Sequence, residues 1–297
     1  MRFLSLVLSA SLCLSATLSH AGDDHAHEPI GDAIKDVPIF DAHIHYKEPA
    51  WEQFSVKTII ELMDQNGVAM GLVSSTPDEG TIMLWDYAPN RIVPELRPYH
   101  GAANSSNWAK APNMKDYLEK RLNSYPQHQG IGEFHIHRLD MDDEPLFRDV
   151  IKLAKERDIY LHVHSGPEAI QWLYSLDKDV KIIWAHAGLG YRAEFTYALM
   201  SQFPKLLADT SLREYAIMSD GDTIDPKWMK IIVEFQDRLM VGSDTWVNSQ
   251  WENYDRIITS NRDWLSQLPR DIAEKIAYKN AERIFNIKIS NDQIGTR

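Results

Sequence analysis

Histidine is the residue whose spacing first points to chemistry. Chance placement of the 12 His would give about 0.5 His-x-His pairs, whereas the chain has four, at 25/27, 43/45, 135/137 and 162/164. Residues i and i+2 of a strand project to the same face, so His43 and His45, closing the run Phe40-Asp41-Ala42-His43-Ile44-His45, can share one metal ion. The alternative, two hydrogen-bonded interior histidines, would need partners for two rings on one strand. His164 ends Leu161-His162-Val163-His164 one layer nearer the following loop than His162, which makes His164 the ligand candidate and gives His162 a buried hydrogen-bonding role. His186 closes Ile182-Ile183-Trp184-Ala185-His186, and Asp244 follows Leu239-Met240-Val241-Gly242-Ser243, where a carboxylate could also merely cap a helix. Glu133, in Gly130-Ile131-Gly132-Glu133, offers a further carboxylate; its alternative is a buried ion pair with an arginine. His nitrogens with carboxylate oxygens suit a divalent metal, zinc first, with manganese or iron as alternatives.

Those residues recur at the ends of apolar segments, and the segments define the fold. Eight strand-like stretches, 38–45, 68–74, 91–99, 130–137, 159–165, 180–186, 206–210 and 239–242, alternate with helical patterns such as Leu146-Phe147-Val150-Ile151-Leu153-Ala154. From His43 to Asp244 the seven intervals average about 29 residues, near the length of one β/α unit. An α/β fold follows: a single-domain (β/α)8 TIM barrel over 37–297, whose active site would lie at the C-terminal ends of its strands.

With these motifs in hand, the chain resembles the amidohydrolase superfamily, in particular its amidohydrolase-related branch of metal-dependent TIM-barrel hydrolases and decarboxylases. The resemblance rests on Asp41-Ala42-His43-Ile44-His45, His164 before Ser165-Gly166, Ala185-His186-Ala187-Gly188, Gly242-Ser243-Asp244 and the closing segment Asn280-Ala281-Glu282-Arg283-Ile284-Phe285, and covers roughly 37 to 287. It implies that His43, His45, His164 and Asp244 are metal ligands. His186 would be either a ligand to a second ion or a group beside the reacting oxygen. Asp244 would also be the general base. The fourth strand departs from the pattern, because many binuclear relatives carry a carboxylated lysine there and this chain has Glu133. Its Ile-Gly-Glu run is similar to a deoxyribonuclease-like branch in which the glutamate binds metal and can bridge two ions. One or two ions are therefore expected.

The implied reaction is hydrolysis of an amide, lactone or ester bond in a small molecule by a metal-activated water. Two other readings are a metal-dependent decarboxylase of an unsaturated or aromatic acid and a non-catalytic exported zinc-binding protein. For the substrate, Arg97 in Glu95-Leu96-Arg97-Pro98-Tyr99 could clamp a carboxylate or form a structural ion pair, and Arg213 poses the same choice. His135 and His137 could each face substrate. Trp85, Trp246 and Trp251 could line an aromatic pocket or simply pack.

A formal charge of −12, from 31 Lys plus Arg against 43 Asp plus Glu, opposes nucleic acid as a partner. Residues 1–21 read as a signal peptide: Arg2, an apolar run from Phe3 to Leu18, then Ser19-His20-Ala21. The run is too short and too rich in serine for a retained anchor, so the expected product is exported, periplasmic or secreted, with no membrane attachment after cleavage. Leu12 precedes Cys13 where a lipoprotein signal has a small residue, and Cys13 is the only cysteine, so cleavage leaves no disulfide. Residues 22–36, polar and acidic, read as a flexible lead-in.

Overall fold

The computed structural model describes residues 31–218, 221–290 and 293; the expected signal peptide and the lead-in as far as residue 30 lie outside the described residues. Eight strands appear where the apolar runs stand: β1 (Ile39–Ile44), β2 (Val68–Ser74), β3 (Ile92–Glu95), β4 (Gly130–Ile136), β5 (Tyr160–Ser165), β6 (Ile182–Trp184), β7 (Leu207–Asp209) and β8 (Leu239–Met240). β1 to β3 pair in parallel in sequence order, as do β4 to β8. Two seams join the sets. Leu96 donates to the Gly130 carbonyl at 2.9 Å and accepts from Gly132 at 2.8 Å, while Ala42 donates to Val241 at 2.9 Å and Asp244 to His43 at 2.7 Å. The sheet is therefore a closed (β/α)8 barrel, with sequential parallel strands and helical crossovers.

The crossovers follow from pattern and caps. Helix Val56–Gln65 begins at Ser55, whose hydroxyl accepts from the Thr58 amide, and buries Ile59 and Met63 four residues apart. Helix Glu144–Arg157 has Pro145 in its first turn, buries Phe147, Val150, Ile151, Leu153 and Ala154, and stops at Asp158, which takes a left-handed φ of 57°. Both present one apolar stripe to the sheet.

Phe40, Ala42, Met70, Leu72, Val93, Ile183, Leu207 and Met240 form one buried cluster, and residues from six strands can meet only inside the barrel. Phe285 closes the N-terminal end of that interior, its ring 5.6 Å from Phe40. Simple alternation would then turn His43 and His45 outward. A register irregularity between Asp41 and Ile44 reverses the facing, so that Phe40 and Ala42 fill the floor while His43 and His45 also point in.

β6, β7 and β8 are shorter than their apolar runs. For β6 and β8 the cause is at their ends: His186 and Asp244 have φ of 58° and 53°, a left-handed backbone that leaves the ladder and turns the side chain into the mouth. Such non-glycine conformations cost on the order of 1 kcal/mol each and cluster at functional sites. Gly242 is required here, since a Cβ would sit 2.9 Å from the His43 Cβ and prevent β8 from closing on β1.

The expected lead-in is corrected at its end. Residues Gly31–Asp36 form a 3-10 helix, and Ile34 is buried, its carbonyl accepting from Val37 and from Arg262. One apolar side chain in a polar stretch is enough to dock it. Among the described residues no helix is long and apolar enough to cross a membrane.

Candidate metal centre

Six side chains from five strand ends converge at the C-terminal mouth: His43 and His45 from β1, Glu133 from β4, His164 from β5, His186 after β6 and Asp244 after β8. All are buried except His164, whose side chain is 28% exposed. His43 Nε2 lies 3.1 Å from His45 Nε2, and Asp244 Oδ1 lies 3.6 and 3.3 Å from those two nitrogens. Two donors held 2.0 to 2.2 Å from one ion at the tetrahedral angle are about 3.4 Å apart, so these three are spaced as edges of one coordination sphere. Glu133 Oε2 is 3.3 Å from His45 Nε2 and 3.7 Å from His43 Nε2. Its other oxygen, Oε1, is 2.7 Å from His164 Nδ1 and 3.4 Å from His186 Nε2, which are themselves 3.1 Å apart. Glu133 thus stands between two donor groups, one on each carboxylate oxygen.

For His43, His45 and His186 the surroundings fix which nitrogen the ring offers. His45 Nδ1 donates to the Ser74 carbonyl, and His186 Nδ1 to the Ser211 carbonyl and hydroxyl at 3.2 and 2.8 Å. A carbonyl can only accept, so the proton resides on Nδ1 and the Nε2 lone pair faces the centre. His43 Nδ1 points to Asp209 Oδ2 at 3.3 Å. The same oxygen meets His162 Nε2 at 3.0 Å, and His162 Nδ1 meets Glu95 Oε2 at 3.0 Å, giving a buried chain Glu95–His162–Asp209–His43 beneath the donors. Asp41 stays behind β1, accepting from the Ser243 amide and the Tyr254 hydroxyl.

Electrostatics agree with a missing positive charge. Burial alone would lower His43, yet Asp209, Asp244 and Glu133 overcome it and hold its pKa well above the usual histidine range. Burial likewise raises Glu133 and Asp244, but the facing histidines prevail and pull Glu133 far down and Asp244 to about 2. Burial lowers His162, but Glu95 and Asp209 raise it to about 9. Four buried carboxylates face one buried arginine, Arg97, and a set of imidazoles; a divalent cation on the inward lone pairs is the charge this donor set lacks. The residues therefore fit a divalent metal: donor atoms of His43, His45 and Asp244 lie within 4.8 Å of one another, as do those of His43, Glu133 and His186 and those of Glu133, His135 and His164.

Above the donors opens a cavity of about 460 Å³ lined by Lys47, Thr76, Arg97, Tyr99, His135 and Trp246 among others. His135 does face it, neutral because burial pushes its pKa down to about 3, with Nδ1 2.8 Å from the Tyr99 hydroxyl. His137, at the end of β4, instead lines a neighbouring cavity beside Arg138. Arg97 lines the main cavity too, but its fork is turned on Glu133: Nη2 is 2.7 Å from Oε2 and Nε donates to the Glu133 carbonyl at 3.0 Å. The carboxylate-clamp expectation for Arg97 is thus replaced by the structural ion pair, because Glu133, buried beside it, needs a cation close by. Glu133 accordingly shows both of its expected partnerships at once, arginine and histidine. Arg213 is structural, donating to the Tyr191 carbonyl at 2.8 Å and lying over Trp228. Trp85 and Trp251 pack in the core, whereas Trp246 is 48% exposed at the mouth.

Asp209, Glu95, Ser211, Thr76 and Lys47 were not singled out from the sequence as site residues. Asp209 could have been, since it closes Leu206-Leu207-Ala208 as Asp244 closes β8's run. Outside the centre, burial also raises the Glu214 carboxyl to about 7. A carboxyl whose folded pKa exceeds its unfolded value near 4.3 binds more protons when folded, so its contribution is full below about pH 4 and is lost as pH rises through 7. Glu214→Gln should therefore gain stability over the parent at pH 8, by about 1 to 2 kcal/mol after allowing for partial exposure, and not at pH 4. Denaturant titrations at the two pH values check this.

Comparison with known proteins agrees with the geometry. The family model described as amidohydrolase matches residues 110–287, more than half of the 297. No curated protein matches the chain. Among solved structures, a lactonase from Listeria monocytogenes is similar at 12% identity over 86% of this chain and 97% of that one, with a TM-score of 0.60. A putative 2-pyrone-4,6-dicarboxylic acid hydrolase from Pseudomonas putida is 12% identical over 86% of this chain and 99% of that one, with a TM-score of 0.58. A TatD homologue from Escherichia coli is 15% identical over 85% of this chain and all of that one, also at 0.58. At such identities the structural likeness carries the fold. The match over 110–287, with strand-end histidines and carboxylates in order around a (β/α)8 barrel, shows that the chain belongs to the amidohydrolase family.

Proposed function

We propose that this chain is a metal-dependent hydrolase that cleaves an amide, lactone or ester bond of a small molecule. The observation that carries the reading is the spacing of the donor atoms of His43, His45 and Asp244 on one side of Glu133 and of His164 and His186 on the other, beside the cavity. His43, His45 and Asp244 would hold one divalent ion, zinc first among candidates, and His164 and His186 a second, with Glu133 between. Bound there, the metal would supply a water acidic enough to react at neutral pH. Asp244, ionised at that pH and 4.0 Å from His186 Nε2 through its second oxygen, would take the proton. Asp209 and Ser211 keep His43 and His186 in fixed orientation, and His135 and Tyr99 line the approach.

The test is a screen of the zinc-loaded protein against lactones, esters, amides and carboxylic acids. Hydrolysis of at least one, abolished by chelation and restored by zinc, is expected. Release of carbon dioxide from an acid, or tight metal binding without turnover, would overturn the reading.

We also propose that the protein is exported, a reading that rests on Arg2, the apolar run and Ser19-His20-Ala21. The intact mass of protein recovered outside the cytoplasm should correspond to a chain beginning at Gly22. A membrane-bound product retaining Met1 would contradict it.

A further inference from the structure

Most charged groups lining the cavity are spent on one another. Arg97 is paired with Glu133, and Glu133 and Asp244 face the histidines. Lys47 differs. It follows β1 directly, is half-buried in the cavity wall, and makes no ion pair with any described residue; its Nζ lies 5.7 Å from the centroid of the Trp246 ring. Its ammonium feels the repulsion of Arg97 and the attraction of Asp244, but no described carboxylate stands within ion-pair distance to replace the hydration lost on burial.

A second unpartnered group belongs to the same cavity. The Thr76 hydroxyl, also lining this cavity, is buried without a hydrogen-bond partner. The Thr76 carbonyl accepts from the Glu48 amide at 3.2 Å, which pins the loop after β2 against the loop carrying Lys47. Lys47, Thr76 and Trp246 therefore line one cavity together with Glu133, His164 and Asp244 of the metal centre.

From this juxtaposition we infer that Lys47 and Thr76 form an anion subsite, and that the substrate is a monocarboxylate with a flat apolar body resting on Trp246. The ammonium and hydroxyl would take the carboxylate oxygens by charge-assisted and neutral hydrogen bonds. One ammonium balances one negative charge, which matches a monocarboxylate more closely than a dianion such as a phosphate monoester. A cavity of about 460 Å³ suits a molecule of this size. The inference deepens the hydrolase reading, in that the same cavity is taken as the substrate site. Its test is a binding measurement, so that the two can fail separately.

Dissociation constants of 3-phenylpropanoate and the uncharged 3-phenylpropanamide are measured by calorimetry on the zinc-loaded protein and on Lys47→Ala, Lys47→Arg and Trp246→Ala. The acid should bind the parent at least tenfold tighter than the amide. Lys47→Ala should erase that preference, Lys47→Arg should keep most of it, and Trp246→Ala should weaken both probes alike. Equal binding of the two probes to the parent would overturn the inference. So would a preference that survives Lys47→Ala, since the carboxylate would then be binding the metal. If the expected pattern is found and no carboxylated ester, lactone or amide is turned over, the anion subsite stands and the hydrolase reading falls.

Discussion

Asp244→Asn is expected to lose turnover by on the order of 10²-fold or more while the protein remains folded. The change keeps the side chain's size and one oxygen, so the packing against His43 and His45, 3.6 and 3.3 Å away, is preserved. What it removes is the charge and the basic oxygen. The left-handed backbone at Asp244, φ 53°, is a conformation asparagine adopts as readily as aspartate, so no new strain accompanies the substitution. Steady-state kinetics with circular dichroism on the same preparation separate the two effects. An Asp244→Asn protein with parental activity would remove Asp244 from the role of base.

Glu133→Gln has the larger expected effect on composition. Each Glu133 oxygen faces a different donor pair, and an amide offers one good acceptor in place of two anionic oxygens. Metal content should fall from nearly two ions per chain toward one. The same substitution strips Arg97 of its counter-charge 2.7 Å away in a buried setting. Loss of a buried partner typically costs about 3 to 5 kcal/mol, and the retained amide oxygen should offset part of that, so a lower melting temperature is also expected. Elemental analysis after gel filtration gives the stoichiometry. An unchanged metal content would return Glu133 to a purely structural pairing with Arg97.

How much of this was legible beforehand depended on the kind of feature. The eight strand positions were, because parallel barrel strands are buried on both faces and read as short apolar runs. Their ends were less so. β6 and β8 stop early because His186 and Asp244 leave the ladder by positive φ, and nothing in Trp184-Ala185-His186 or Val241-Gly242-Ser243 announces that. The pairing of His43 with His45 was readable from spacing, but the reversal of facing between Ala42 and His43 required the register. Asp209 and Glu95 escaped notice because their meaning lies in His162, which joins them at 3.0 Å on each side across 47 and 67 positions of sequence. Arg97 was visible as a charge near the mouth; whether it would turn to substrate or to Glu133 was decided by burial.

The six strand-end residues are expected to hold metal. Crystals of the zinc-loaded protein measured on both sides of the zinc absorption edge test it most directly. An anomalous peak is expected about 2.0 to 2.2 Å from His43 Nε2, His45 Nε2 and an Asp244 oxygen, with a second peak on His164, His186 and the far oxygen of Glu133 at full loading. Zinc bound elsewhere, or these donors remaining more than about 3 Å from any peak, would contradict it.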